Sequence, residues 1–224
     1  MKVNVYVANE SHQKYAERIC ELMYISAQER GTGIAKRNPE YIKEKMKDGK
    51  SIIAIAEDGS FAGFSYIESW SHTKFVANSG LIVAHEFRGI GLAKRIKERI
   101  FQLSREMFPY AKIFSITTGI AVMKMNSELG FRPVPFSELT TDEEFWHGCQ
   151  GCRNYDILQR NNFKMCLCTA LLYDPAQHKN DSKKSSGMPV MNWVGKGVAL
   201  PFKGISKTVK YLSHKTFSTP TEGK

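Results

Sequence analysis

Residues Leu81 to Ile96 read LIVAHEFRGIGLAKRI, which predicts a strand, a tight turn and a helix in immediate succession. The apolar run at its start is typical of a buried strand. After Gly91 the apolar residues recur at helical spacing, as Leu92, Ile96, Ile100 and Leu103. The first turn of a helix leaves about four backbone N–H groups unpaired at the positive end of the helix dipole. Gly89 and Gly91 let a ligand approach that backbone, and this geometry suits a diphosphate. A lone Gly-x-Gly would favour an ordinary sharp connection, so the residues around the glycines decide between the two.

The turn residues Arg88-Gly89-Ile90-Gly91-Leu92-Ala93 fit the pattern Arg/Gln-x-x-Gly-x-Gly/Ala. They lack the G-x-G-x-x-G spacing and the Lys-Ser/Thr ending of nucleotide-binding loops. The turn resembles the acyl-CoA-binding motif of the GNAT superfamily of N-acyltransferases. This resemblance implies acetyl-CoA or another acyl-CoA as co-substrate. It also implies cofactor contacts from Leu81, Ile82, Val83, Arg88, Gly89, Ile90, Gly91, Leu92, Ala93 and Lys94.

Around this turn the pattern of elements predicts a mixed α/β fold with a central sheet flanked by helices. The predicted strands are Met1–Val7, Ser51–Glu57, Phe61–Trp70, Phe75–Val83, Ala111–Thr118, Phe131–Pro135 and Cys166–Tyr173. Two helices, one from Glu10 to Arg30 and one starting at Asn38-Pro39-Glu40, follow the first strand. The resemblance covers roughly Lys2–Tyr173. It implies that the strand ending at Val83 splays from Ala111–Thr118 to admit the pantetheine arm.

The length of 224 residues fits one acyltransferase domain, residues 1–174, enlarged by an insertion at 136–164 before the last strand. Residues 175–224 predict a basic linker and appendage with nine lysines, no arginine and two acidic residues, which carries most of the net charge of +10. Its segment Gly204–Lys215 has the spacing of a Lys-rich helix, which we expect to pack on the domain or on a second subunit in a homodimer. Groove-binding proteins mix arginine with aromatic residues on the folded body, so nucleic acid is not the expected partner.

The sequence predicts neither a membrane span nor a secretory signal. No apolar run approaches the ~18 residues that a span needs. The N-terminal residues lack the apolar core and cleavage site of a signal peptide. The expected compartment is therefore the cytoplasm.

Acyl transfer from a thioester to an amine needs a proton acceptor for the amine and a proton donor for the leaving thiolate. The resemblance places Asn126 where the family often has a tyrosine acid, and Asn78 and Ser79 where a carboxylate base is expected. Strand periodicity puts Glu68 on one face with Tyr66 and Trp70, so Glu68 is the candidate base. A solvated or ion-paired Glu68, a base at His72 and a base acting through water are the alternatives. Asn126 is the candidate partner of the thioester or leaving sulfur, with a helix C-terminal role as the alternative.

Four phrases, RGTGIAKRNPEY, GFSYIESWS, FRGIGLAKRIK and NYDIL, resemble a bacterial branch of the superfamily linked to arginine biosynthesis. The resemblance implies acylation of the α-amino group of glutamate, with an acetyl or succinyl donor. Arg30, Lys36 and Arg37 would then hold the substrate carboxylates, with Arg132 or a merely solvated basic loop as alternatives. Acetylation of a protein lysine or polyamine, and a non-catalytic acyl-CoA sensor, remain open as rival functions.

Four of the five cysteines form the pattern Cys149-x2-Cys152-x13-Cys166-x-Cys168. Two close pairs of thiols are typical of structural zinc sites, and such a site would pin the insertion to the last strand. His147 is an alternate ligand. The other interpretation is a pair of buried strand thiols with an unrelated turn at Gly148–Cys152, because C-x-C on a flat strand is a poor chelate.

Overall fold

Seven strands form one mixed sheet in the part of the chain that the computed structural model describes, residues 2–31 and 35–178. The strands are β1 (Val3–Val7), β2 (Ser51–Ala56), β3 (Phe61–Trp70), β4 (Phe75–Val83), β5 (Lys112–Thr117), β6 (Arg132–Val134) and β7 (Thr169–Tyr173). Their spatial order is β1-β2-β3-β4-β5-β7-β6. All neighbours are antiparallel except β4 and β5, which are parallel. The predicted fold class is confirmed, whereas the predicted helix Gly204–Lys215 lies outside the described residues.

Six α-helices accompany the described part of the sheet. They are α1 (Ala16–Arg30), α2 (Pro39–Lys47), α3 (Leu92–Met107), α4 (Ile120–Glu128), α5 (Glu143–His147) and α6 (Tyr155–Arg160). A 3-10 turn at Glu10–Tyr15 precedes α1, so the predicted helix from Glu10 to Arg30 is in two parts. The predicted start of α2 is confirmed, since the Asn38 side chain accepts the N–H of Glu40 at 2.9 Å. No helix in residues 2–31 and 35–178 combines the length and apolar character that crossing a membrane requires.

The two parallel strands stay together over only three residue pairs. Phe75–Ala77 of β4 pairs with Lys112–Phe114 of β5, and beyond these residues the strands separate. β4 nevertheless continues to Val83 and β5 to Thr117. The predicted splay is therefore confirmed. Peptide groups that leave a ladder need other partners, so the gap suits an extended ligand that carries amide groups.

The insertion between β6 and β7 forms its own small apolar cluster against the sheet. Phe145 and Trp146 of α5 are each 8% exposed. The Phe145 ring lies 4.9 Å from the ring of Phe114 on β5 and 5.7 Å from that of Trp70 on β3, measured between centroids. Burying such a side chain contributes about 1.5–3 kcal/mol, which holds the insertion beside the gap.

The last strand is shorter than the sequence suggests. We expected it to start at Cys166, but β7 starts at Thr169. Thr169 pairs with Thr117, the last residue of β5, so the residues before Thr169 have no strand beside them. Cys166 and Cys168 consequently lie in the segment that leads into β7 and not in the sheet.

Candidate active site

The glycine turn before α3 presents free backbone donors to solvent. Gly89 and Gly91 have φ angles of +81° and +77°, which glycine adopts without strain. Leu92, only 1% exposed, anchors the start of the helix in the core. Among the described residues, the backbone N–H groups from Gly89 to Lys94 have no hydrogen-bond acceptor. The turn is therefore built as the sequence predicted and can bind an anion.

Two basic side chains near these donors form exposed ion pairs. Arg88 lies 3.8 Å from Glu29 and donates to the carbonyl of Val83 at 3.2 Å. Lys94 lies 2.9 Å from Glu128 of α4. Exposed ion pairs contribute little to stability, so both side chains can leave them for a phosphate.

A cavity of about 190 Å³ occupies the gap between β4 and β5. Leu81 of β4 lines it, whereas Ile82 is buried in the core and Val83 is half-buried. The insertion lines part of the cavity with residues of α5, α6 and the segment between them. Among the residues that line the cavity are Arg37, Tyr66, Glu68, Asn78, Ser79, Gly80, Leu81, Lys97, Ser115, Cys149, Cys152, Asn154, Cys166 and Cys168.

β4 carries a bulge where it faces the cavity. The register with β3 shifts between the pairs Phe64–Ile82 and Tyr66–Ser79, so β4 has one residue more than β3 there. Gly80 lies in the bulge with a φ of +64°, and a Cβ atom at this position would lie 2.3 Å from the ring of Tyr66. Only glycine fits, and a bulge leaves one residue of the strand unpaired beside the cavity.

Glu68 lies at the centre of a buried polar network. Its side chain lines the cavity and the residue is 8% exposed. The hydroxyl of Tyr41 donates a hydrogen bond to Glu68 Oε1, and the hydroxyl of Tyr66 also interacts with this carboxylate. Burial, followed by the negative charge of Glu68, raises the pKa of both tyrosines above the ordinary value, so they remain donors. The network leaves Glu68 partly accessible to a ligand in the cavity.

Of the three predicted substrate-binding cations, the structure brings Arg37 to the cavity. Arg37 Nε donates to the Tyr66 hydroxyl at 2.7 Å, and Nη1 donates to the carbonyl of Gly148 at 3.3 Å. The side chain of Lys36 is exposed and does not line the cavity. The side chain of Arg30 lies outside the described part of the structure. Arg132, the alternative, is paired with Glu138 at 2.7 Å and is also absent from the cavity lining.

Asn126 on α4 is fully buried, but it does not line the cavity. Neither polar atom of its side-chain amide has a hydrogen-bond partner among the described residues. Its backbone carbonyl accepts the N–H of Phe131 at 3.0 Å, which fits the alternative role at the helix C-terminus. His72, the alternative base, is exposed and likewise absent from the cavity lining.

The four cysteines of the Cys149-x2-Cys152-x13-Cys166-x-Cys168 pattern all line the cavity. Burial, then the neighbouring thiols, raises the pKa of Cys149 to about 11 and that of Cys168 to about 12. The two pairs therefore lie near one another. Within residues 2–31 and 35–178, however, no three His, Cys, Asp or Glu side chains are arranged to hold a metal ion, so the predicted zinc site is not found.

Sequence reasoning missed Asn154 and Lys97 in the cavity lining, and it missed Tyr41 as a hydrogen-bond donor to the predicted base Glu68. Asn154 is 6% exposed and its side-chain nitrogen has no partner among the described residues. Lys97 of α3 is 2% exposed. The phrases RGTGIAKRNPEY and NYDIL contain Tyr41 and Asn154, but no local pattern marked either as part of a site.

No family model and no curated protein matches the sequence. Solved structures do match. N-acetylglutamate synthase from Neisseria gonorrhoeae, complexed with coenzyme A and N-acetyl-glutamate, is 17% identical with a TM-score of 0.55, over 78% of this chain and 35% of that one. This chain thus spans about a third of the synthase. Rv2747 from Mycobacterium tuberculosis, in complex with CoA, is 18% identical with a TM-score of 0.52, over 76% and 98% of the two chains.

A GNAT superfamily phosphinothricin acetyltransferase from Sinorhizobium meliloti, in complex with acetyl-CoA, is 14% identical with a TM-score of 0.51. The match covers 77% of this chain and 87% of the acetyltransferase. Identities this low establish the fold alone. The chain has the GNAT fold, as the resemblance of the glycine turn implied.

Proposed function

We propose that this chain is an acyl-CoA-dependent N-acyltransferase acting on a small amine, with the α-amino group of glutamate as the best candidate acceptor. One observation carries the proposal: the gap between β4 and β5 holds a buried carboxylate, Glu68, with Arg37 beside it, and β4 leads from this gap toward the turn with the free N–H groups. Structures with this fold hold coenzyme A or acetyl-CoA, and one holds N-acetyl-glutamate. A glutamate acceptor agrees with the arginine-biosynthesis branch that the sequence resembles.

The turn and the gap would hold the cofactor from its diphosphate to its thioester. The N–H groups from Gly89 to Lys94 would bind the diphosphate, aided by Arg88 and Lys94. The pantetheine arm would take the place of the missing ladder between β4 and β5, since its amides can pair with the freed peptide groups. The unpaired backbone at the Gly80 bulge would polarise the thioester carbonyl.

Arg37 would orient the acceptor. A guanidinium binds a carboxylate through two parallel hydrogen bonds, and Arg37 is the described cation of the predicted set that lines the cavity. Its bond to Tyr66 fixes the guanidinium relative to Glu68. A carboxylate bound there would place the neighbouring α-amino group next to the base.

Glu68 would take the proton from the acceptor amine as its nitrogen attacks the thioester carbonyl. A carboxylate has about four acceptor positions, so two tyrosine hydroxyls leave room for an amine. The nitrogen–carbon bond forms, the carbon–sulfur bond breaks, and the electron pair stays on the sulfur. Acetyl-CoA and succinyl-CoA both undergo this chemistry, and both are donors within the proposal.

The test is a coenzyme A release assay with both donors and a panel of amino acids, polyamines and lysine peptides. Glutamate-dependent thiol release that exceeds release with aspartate or glutamine supports the proposal. Release only with polyamines or peptides would reassign the acceptor. Tight acyl-CoA binding without turnover on any amine would support a sensor and contradict the enzyme.

A further inference from the structure

Lys97 is a buried basic side chain that none of the roles above uses. It lies on α3, is 2% exposed, and lines the cavity between β4 and β5. It also lines a smaller recess between α3 and α4. Lysine is almost never fully buried unless it is paired, so its position calls for a partner.

No such partner exists among the described residues. Lys97 makes no ion pair or hydrogen bond there, and its nearest recorded contact is the ring of Phe131, 5.3 Å from Nζ. The charged groups that share its recess are Lys94, Glu98 and Glu128, and Lys94 and Glu128 are paired with each other. On the cavity side, the titratable and charged residues are Arg37, Tyr66, Glu68, Cys149, Cys152, Tyr155, Cys166 and Cys168.

Burial alone lowers the pKa of Lys97 to about 7. Both protonation states of the amine are therefore accessible near neutral pH, which is the condition that suits an acid or base catalyst. Its unpaired ammonium would be stabilised by an anion that forms in the cavity.

The reaction proposed above creates one anion in this gap, the thiolate of coenzyme A. Asn126, the candidate partner of the sulfur in the sequence analysis, does not line the cavity, and its amide side chain cannot supply a proton. Lys97 faces the same gap from α3, with Leu81 of β4 and Ser115 of β5 also on its lining.

We propose that Lys97 donates the proton to the sulfur of the departing coenzyme A. This inference rests on the acyltransfer function. As the acceptor nitrogen bonds to the carbonyl carbon and the carbon–sulfur bond breaks, the Nζ proton moves to the sulfur. Glu68 holds the proton from the acceptor amine, and solvent water returns a proton to Lys97 as Glu68 releases its own.

The first test compares Lys97→Met and Lys97→Arg with the wild type, and uses Lys47→Met, an exposed lysine on α2, as the matched control. We expect kcat of Lys97→Met to fall about 100-fold with an unchanged KM for acyl-CoA. Because the donor must be protonated, the kcat of the wild type should fall as the pH rises through about 7. Both Lys97 variants should lack this limb, and Lys47→Met should retain it. An unchanged kcat and pH profile in Lys97→Met would overturn the proposal.

The second test needs no acceptor amine and so separates this inference from the proposed function. The thiol pKa of bound coenzyme A is measured from thiolate ultraviolet absorbance, with the desulfo-coenzyme A complex subtracted. A thiolate beside Lys97 would keep its ammonium protonated, and this pair should lower the thiol pKa in the wild type but not in Lys97→Met. Equal values in the two proteins would contradict the role of Lys97, whatever the acceptor. A lowered value without turnover on any amine would instead contradict the proposed function alone.

Discussion

The Nε atom of Arg37 donates a 2.7 Å hydrogen bond to the hydroxyl of Tyr66. This bond joins the loop before α2 to the centre of β3, where Tyr66 also interacts with Glu68. The cation proposed to bind the substrate and the proposed base are therefore parts of one network. Substitutions at either end should alter both binding and chemistry.

Arg37→Met should weaken glutamate binding without preventing acyl-CoA binding. Losing a charge-assisted carboxylate contact costs about 1.5–3 kcal/mol, so we expect KM for glutamate to rise by one to two orders of magnitude. Arg37→Lys should recover only part of the loss, because lysine cannot form the two parallel bonds. Steady-state kinetics checks this. Lys36→Met is the control, and an equal defect in Lys36→Met would argue against a specific role for Arg37.

Glu68→Gln should abolish the proton acceptor while keeping the size of the side chain. We expect kcat to fall about 100-fold or more, with the dissociation constant for acetyl-CoA unchanged. Rates from coenzyme A release and affinities from calorimetry give the two numbers. Glu44→Gln, at an exposed position on α2, should behave as the wild type. Full activity in Glu68→Gln would move the base to another residue or to water.

Gly91→Ala should weaken coenzyme A binding through the backbone. An alanine at a φ of +77° is strained, and relief of that strain would move the N–H groups of the turn. We expect at least a tenfold higher dissociation constant for coenzyme A, since a loss of about 1.4 kcal/mol produces that factor. Gly59→Ala, at a φ of +83° in the β2–β3 hairpin, imposes similar strain far from the turn and should bind normally. A comparable loss in both variants would mean that general destabilisation is the cause.

Lys97 should also be visible in the pH dependence of stability. The unfolded chain keeps the Lys97 proton up to its ordinary pKa of 10.5, whereas the folded chain releases it near 7. The unfolded state thus binds the extra proton between these values, so stability should rise with pH by about 1.4 kcal/mol per unit from this group. The loss of stability caused by burying the Lys97 ammonium is absent above about pH 10.5 and complete below about pH 7.

Urea unfolding of the wild type and of Lys97→Met between pH 7 and 10 measures this contribution as a difference. Lys97→Met should be the more stable protein near neutral pH, and the difference should shrink as the pH rises. A constant difference across this range would show that Lys97 does not lose its proton on folding.

The elements around the glycine turn were predictable because their signals are local. The apolar spacing from Leu92 to Leu103, the turn glycines and the Asn38 cap each act within a few residues of chain. The start of the last strand was not predictable from the sequence, since it depends on where the partner strand β5 ends. Cys166 has the same neighbours in sequence whether or not a strand lies beside it.

Local signals in the sequence were enough to predict the glycine turn before α3 and the order of strands and helices. Which predicted cation reaches the cavity depends on how the chain packs, because Arg37, Tyr66 and Gly148 meet from three distant segments of chain. The same holds for Lys97, which directly follows the buried Ile96 in a helix with charged neighbours. Helical periodicity describes one helix, whereas the burial of a side chain depends on what packs against that helix. Lys97 is buried because it lies between the recess beside α4 and the cavity between β4 and β5.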